Sequence, residues 1–173
     1  MLQPVPLLAL SGSVGVGKTS VLIEIHDVLE KASVPHGCIE RDALGYSWPT
    51  QGRFNERIIE QNLACVLRTF LNAGAVRLII AGVIESESDL AVYQRCLPSA
   101  EITLCRLSAD ADLRRERLRT REKGAGLEWH LNRTIELDSI LDAARLEHFV
   151  VDNGNRPLRD VAIEVLTRAG WPH

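Results

Sequence analysis

The sequence predicts an α/β fold: a mostly parallel sheet covered by helices on both faces. Two observations carry this. Short apolar runs alternate with helical periodicities along the whole chain, the pattern of repeated β-α-β units. A glycine-rich turn, residues 12–19, sits between the first apolar run and the first amphipathic segment. The composition agrees. The 173 residues are 46% hydrophobic and 25% charged, which suits one globular domain over residues 1–173 and argues against a disordered chain.

The elements follow in order. Pro6 to Leu10 reads as the first strand. Its apolar run lacks a basic start and flows into the glycine-rich turn, so it reads as a buried strand and not as a signal peptide. Thr19 to Lys31 is a helix with Leu22, Ile25, Val28 and Leu29 on one face. His36 to Glu40 is a short strand. Phe54 to Ala73 is a long helix with an apolar stripe from Ile58 to Leu71, and Gly74 is its C-cap. Val76 to Ala81 is the third strand, followed by a short helix at Ser88 to Cys96. Ile102 to Leu107 is the fourth strand. Ala111 to Glu122 is a charged helix, broken by Lys123 to Gly126, and Trp129 to Ala144 is helical again. His148 to Val151 is the last strand. Asn155 and Pro157 open a final helix that buries Val161, Val165 and Leu166.

Several function classes are disfavoured. With 20 Lys+Arg against 23 Asp+Glu, the net charge of -3 offers little general attraction to a nucleic-acid polymer. No apolar run reaches the ~20 residues of a membrane helix. Cys38, Cys65, Cys96 and Cys105 are widely spaced without a CxxC pair, so the spacing suggests neither a zinc site nor a disulfide framework. These features fit a cytoplasmic protein, monomeric or homodimeric.

Residues 12–19 read GSVGVGKT, with Gly12, Gly17, Lys18 and Thr19 in P-loop register. Glycines let the backbone wrap so that several N–H groups point at one phosphate, and the next helix offers its positive end. The predicted nucleotide cradle is Gly12, Ser13, Val14, Gly15, Val16, Gly17, Lys18, Thr19 and Ser20. Lys18 reaches the β- and γ-phosphates of ATP, and the Thr19 hydroxyl joins the shell of Mg²⁺.

From this motif onward the chain resembles the small P-loop kinases. That group contains nucleoside monophosphate, shikimate, gluconate and adenylylsulfate kinases and some antibiotic phosphotransferases. The resemblance implies a P-loop NTPase fold with a five-stranded, mostly parallel sheet, order 2-3-1-4-5, and a small arginine-rich lid at about residues 113–130. The segment Leu113 to Gly126, LRRERLRTREKGAG, looks like the lid helix of that group. Arg117 and Arg121 are four apart and share a helix face, where two guanidinium groups can clamp a transferring phosphoryl group. The competing reading is a solvated helix with weak surface ion pairs.

The acceptor side is less marked. Asp42, after the second strand, is the candidate base that orients or deprotonates an acceptor hydroxyl; it can equally cap the following turn. Glu40 and Arg41 are neighbours that can stand in. The third strand ends in Ala81-Gly82 where motor and switch NTPases carry an Asp. Gly82 lets a substrate approach the backbone, and Glu85 contacts either the metal's water shell or the acceptor, or serves as a helix N-terminal acid. Arg57, with Arg53 and Asn62 beside it, is the candidate partner of an anionic acceptor, against the view that it faces solvent. The resemblance also lays Asn155, Arg156 and Pro157 along the adenine; the plainer reading is a helix start. The expectation is therefore an ATP- and Mg²⁺-dependent phosphotransferase acting on a small-molecule acceptor, most simply a hydroxyl. The alternatives are a nucleoside monophosphate kinase and a non-catalytic or regulatory ATP-binding protein.

Overall fold

The structure, a computed structural model, describes residues 3–52 and 54–173. Five strands form one parallel sheet: β1 (Val5–Ser11), β2 (His36–Glu40), β3 (Arg77–Ala81), β4 (Ala100–Ser108) and β5 (Phe149–Asp152). Their order is β2-β3-β1-β4-β5, as expected from the resemblance. Six helices connect and cover them: α1 (Lys18–Lys31), α2 (Glu56–Asn72), α3 (Glu87–Cys96), α4 (Ala111–Arg121), α5 (Ala125–Ala144) and α6 (Leu158–Arg168). Arg41–Gly45 forms a 3-10 turn after β2. No helix among the described residues is long and apolar enough to cross a membrane.

Strand alternation divides the core into two layers. Leu8 and Leu10 of β1 join Leu22, Ile25 and Leu29 of α1 and Val161 and Val165 of α6. Leu7 and Ala9 point the other way, into a layer with Leu63 and Leu67 of α2 and Tyr93 of α3. In register, Leu7 lies between Leu78 of β3 and Ile102 of β4. The central strand is thus buried on both faces. A parallel sheet brings all its C-terminal strand ends to one edge, where the loops build a site.

Several boundaries differ from the sequence reading for local reasons. Helix α2 starts at Glu56 and not at Phe54. Asn55 is left-handed (φ 56°) and buried, with its amide donating to the Gly45 carbonyl at 2.7 Å. That tertiary bond holds Phe54 outside the helix. Helix α5 starts at Ala125, four residues before Trp129, so the expected break is only the Glu122–Gly124 link. Gly126 therefore sits inside the first turn of α5, where glycine costs only about 1 kcal/mol. Strand β5 begins at Phe149; just before it, the His148 amide donates to the Leu104 carbonyl at 2.9 Å while the Leu104 amide donates to His148 Nδ1 at 2.9 Å, so the ring stands where a ladder carbonyl would.

Candidate active site

The glycine-rich turn closes on itself and on distant elements. Lys18 folds back and donates from Nζ to the Gly12 carbonyl (2.8 Å) and the Ser13 carbonyl (3.1 Å). The Val14 carbonyl accepts from the Thr134 hydroxyl of α5 at 2.8 Å. The Val16 carbonyl accepts from the Asn153 amide at 2.8 Å and from Arg117 at 3.3 Å. The carbonyls of Gly12, Ser13, Val14 and Val16 are thus held by protein donors, while the first amides of α1, at Lys18 to Ser20, have no acceptor within the helix. Gly17 has φ 96°, and a Cβ there would lie 2.5 Å from Asn153 Nδ2. A Cβ on Gly12 would lie 2.5 Å from the Leu107 carbonyl. Only glycine gives this curvature and this approach together.

Burial lowers the Lys18 pKa to about 8, against the opposing pull of Asp42 and Glu40, while Arg121 adds to the fall. The Thr19 hydroxyl donates to Glu40 Oε2 at 2.6 Å. Burial, with Asp42 nearby, raises the Glu40 carboxyl, and the Thr19 bond resists that shift. Lys18, Thr19, Glu40 and Asp42 all line one cleft of about 1010 Å³, together with Val14, Gly15, Gly17 and Ser20. Glu85, Asp89, Arg121, Trp129, His130 and Arg133 line its other walls.

Three of the five arginines of α4 have markedly different surroundings. Arg114 is buried and donates to Ser13 Oγ and Thr134 Oγ1, with a two-pronged pair to Asp138 at 2.8 and 2.6 Å. Arg117 donates to the carbonyls of Val16, Asn153 and Gly154, so it ties the turn to the loop after β5 and is not among the residues lining the cleft. Arg121 lines the cleft and is paired with exposed geometry to Glu122 at 2.9 Å.

The other expected residues are distributed as follows. Asp42 lies in the 3-10 turn and lines the cleft. Glu85 lines it too, and accepts from Arg133, which also pairs with Glu136 at 2.7 Å. Gly82 is not in the lining; a Cβ there would meet Arg41 Cβ and Cδ at 3.0 Å, so the space it frees is filled by Arg41. Arg57 is exposed in the first turn of α2, outside the cleft lining. Arg53 lies outside the described residues. Asn155, Arg156 and Pro157 are exposed and also outside the lining, and Arg156 pairs with Glu164 at 2.7 Å.

The sequence reading did not single out Arg114, Arg133, Thr134, Asp138 or Asn153. One signal was available for Asn153: a polar residue directly after an apolar strand, at the sheet's binding edge. The α5 residues gave none, because their partners lie far away in sequence.

No protein-family model matches the sequence, and no curated protein matches it. Solved structures do. A shikimate kinase from Bacteroides thetaiotaomicron superposes with TM-score 0.66 at 12% identity, covering 96% of this chain and 99% of that one. A tunicamycin resistance protein from Deinococcus radiodurans gives 0.64 at 19%, covering 97% of each chain. A gluconokinase from Sinorhizobium meliloti gives 0.63 at 19%, covering 98% of this chain and 94% of that one. The chain therefore has the P-loop fold of the small kinases over nearly its full length.

Proposed function

We propose that the chain is an ATP-dependent phosphotransferase acting on a small molecule through one of its hydroxyl groups. The observation that carries this is a single cleft in which Lys18 and Thr19 meet Asp42, Glu40 and Arg121. Phosphoryl transfer asks a protein for anchored positive charge, a place for a hard cation and a carboxylate near the nucleophile.

Each part has a residue here. Lys18 and the first amides of α1 hold the phosphate chain, and Lys18 and Arg121 neutralise charge on the moving phosphoryl oxygens. Arg117 braces the turn from outside the cleft. The Thr19 hydroxyl and the Glu40 carboxylate, already 2.6 Å apart, form an all-oxygen donor set that suits Mg²⁺. When bound, that ion would neutralise charge on the phosphate chain. Glu40 thus offers the carboxylate that β3 lacks. Asp42 takes the acceptor proton as the acceptor oxygen bonds to the γ-phosphorus and the bond to ADP breaks. Glu85 orients Arg133 of α5 at the cleft wall.

The test is an acceptor screen read by ADP release, with Lys18→Ala as control. Acceptor-dependent ADP release, absent in the variant, is expected. ATP binding without transfer to any hydroxyl compound would sink the reading.

A further inference from the structure

The seam between α1 and β2 carries a second group of ligating side chains, away from the cleft. His36 and Cys38 are two apart in β2 and share one face of the strand with Glu40. Thr19 and His26 are seven apart, two turns along α1. The seam is therefore fastened twice. Thr19 and Glu40 meet at the cleft end, and His26 Nδ1 meets His36 Nε2 at 2.8 Å at the other. Four strand rises, about 13 Å, separate His36 from Glu40.

One ring nitrogen each from His26 and His36 and the Sγ of Cys38 all lie within 4.8 Å of one another. The orientation of His36 is fixed from behind. Its Nδ1 lies 2.7 Å from the Val34 carbonyl, which can only accept, so Nδ1 carries the proton and Nε2 presents a lone pair to the cluster. A backbone carbonyl holding one ring nitrogen while the other faces the ion is the usual support of a metal-bound histidine. His26 is exposed, so its ring can turn and solvent can reach a fourth position. Tetrahedral zinc needs its two nitrogens about 3.4 Å apart, so the imidazoles have to part by only about 0.6 Å.

We propose that His26, His36 and Cys38 form a three-ligand site for one borderline-soft divalent ion, Zn²⁺ foremost, at the α1–β2 seam. Two imidazoles and a thiolate match that class of ion, whereas the all-oxygen set at Thr19 and Glu40 matches Mg²⁺. On binding, the Cys38 S–H bond breaks, its proton leaves to solvent and the sulfur bonds the metal; the proton that His26 Nδ1 shares with His36 Nε2 is also lost to solvent, which protonates His26 at Nε2 instead and frees Nδ1 to ligate. The spacing H-x₉-H-x-C is not a standard zinc signature, and the site exists only because the α1–β2 connection folds the two elements together.

Cobalt(II) titrated into the full chain without nucleotide tests this. The expected result is one Co²⁺ per chain, with a sulfur-to-cobalt charge-transfer band and displacement by Zn²⁺. Cys38→Ser should abolish the band, and Cys65→Ser, at an exposed thiol, should keep it. His26→Ala should weaken binding roughly tenfold or more. Absence of the band in the unmodified chain, or its survival in Cys38→Ser, overturns the proposal. Should Cys38→Ser fail to fold, His26→Ala decides alone, because that side chain is exposed: unchanged affinity overturns the site.

Discussion

Lys18 is a partly buried amine at the cleft, and its desolvation lowers its pKa to about 8. Phosphate oxygens entering the turn should restore its proton. Just above pH 8, ATP binding should therefore take up a fraction of a proton, seen by calorimetry in buffers of different ionisation heat. Lys18→Ala should remove that uptake together with turnover. The linkage also acts on folding. The unfolded chain keeps this proton up to about pH 10.5, so Lys18 binds fewer protons folded than unfolded between pH 8 and that value. The ligand-free protein should gain stability from this residue as pH rises through that window, measurable by urea unfolding. At Gly17 the demand is steric. Gly17→Ala at φ 96° would press on Asn153, costing about 1–3 kcal/mol and weakening ATP affinity at least roughly tenfold. The glycines and Lys18 were legible in the sequence because the motif is local. Asn153 as the neighbour that forbids a side chain was not, since it lies in the loop after the last strand.

Helix α4 separates arginines that brace the glycine-rich turn from one that lines the cleft. Arg114 has 7% side-chain exposure against 34% for Asp138, so the deeper charge belongs to the arginine. Asp138→Ala should thus leave a buried cation and cost about 3 kcal/mol in denaturant unfolding. Arg121→Ala should behave in the opposite way. The Arg121 side chain is 58% exposed, so stability should change by less than about 0.5 kcal/mol, while turnover falls about 100-fold at unchanged ATP affinity. Equal losses in turnover and affinity would refute the assigned task. The sequence showed an arginine cluster with Arg117 and Arg121 on one face. It could not show that Arg114 and Arg117 turn to residues 101 positions away, because a helix face does not reveal its partner.

Across the whole molecule, periodicity carried most of the architecture. Continuous apolar runs marked strands buried on both sides, and the 3.6-residue stripes marked their covering helices. Leu10, fully buried in the central strand, is a fair test of that core: Leu10→Ala should cost about 3 kcal/mol by denaturant unfolding with no change in the cleft's chemistry. The cleft was less legible than the sheet. Its walls come from residues 14–20, 40–46, 54–59, 83–89 and 121–137, and only the first segment carries a motif. Trp129 and Phe54 illustrate the rest. They meet edge to face, with ring centres 6.4 Å apart, across two connections that no local pattern relates.

The bond between Asn153 and the Val16 carbonyl spans 137 positions of chain. The glycine-rich turn is thus made well before the residue that clasps it. A chain cut short before Asn153 would therefore leave the Val16 carbonyl without this donor. Order in the first loop of the sheet therefore waits on a side chain from its last one.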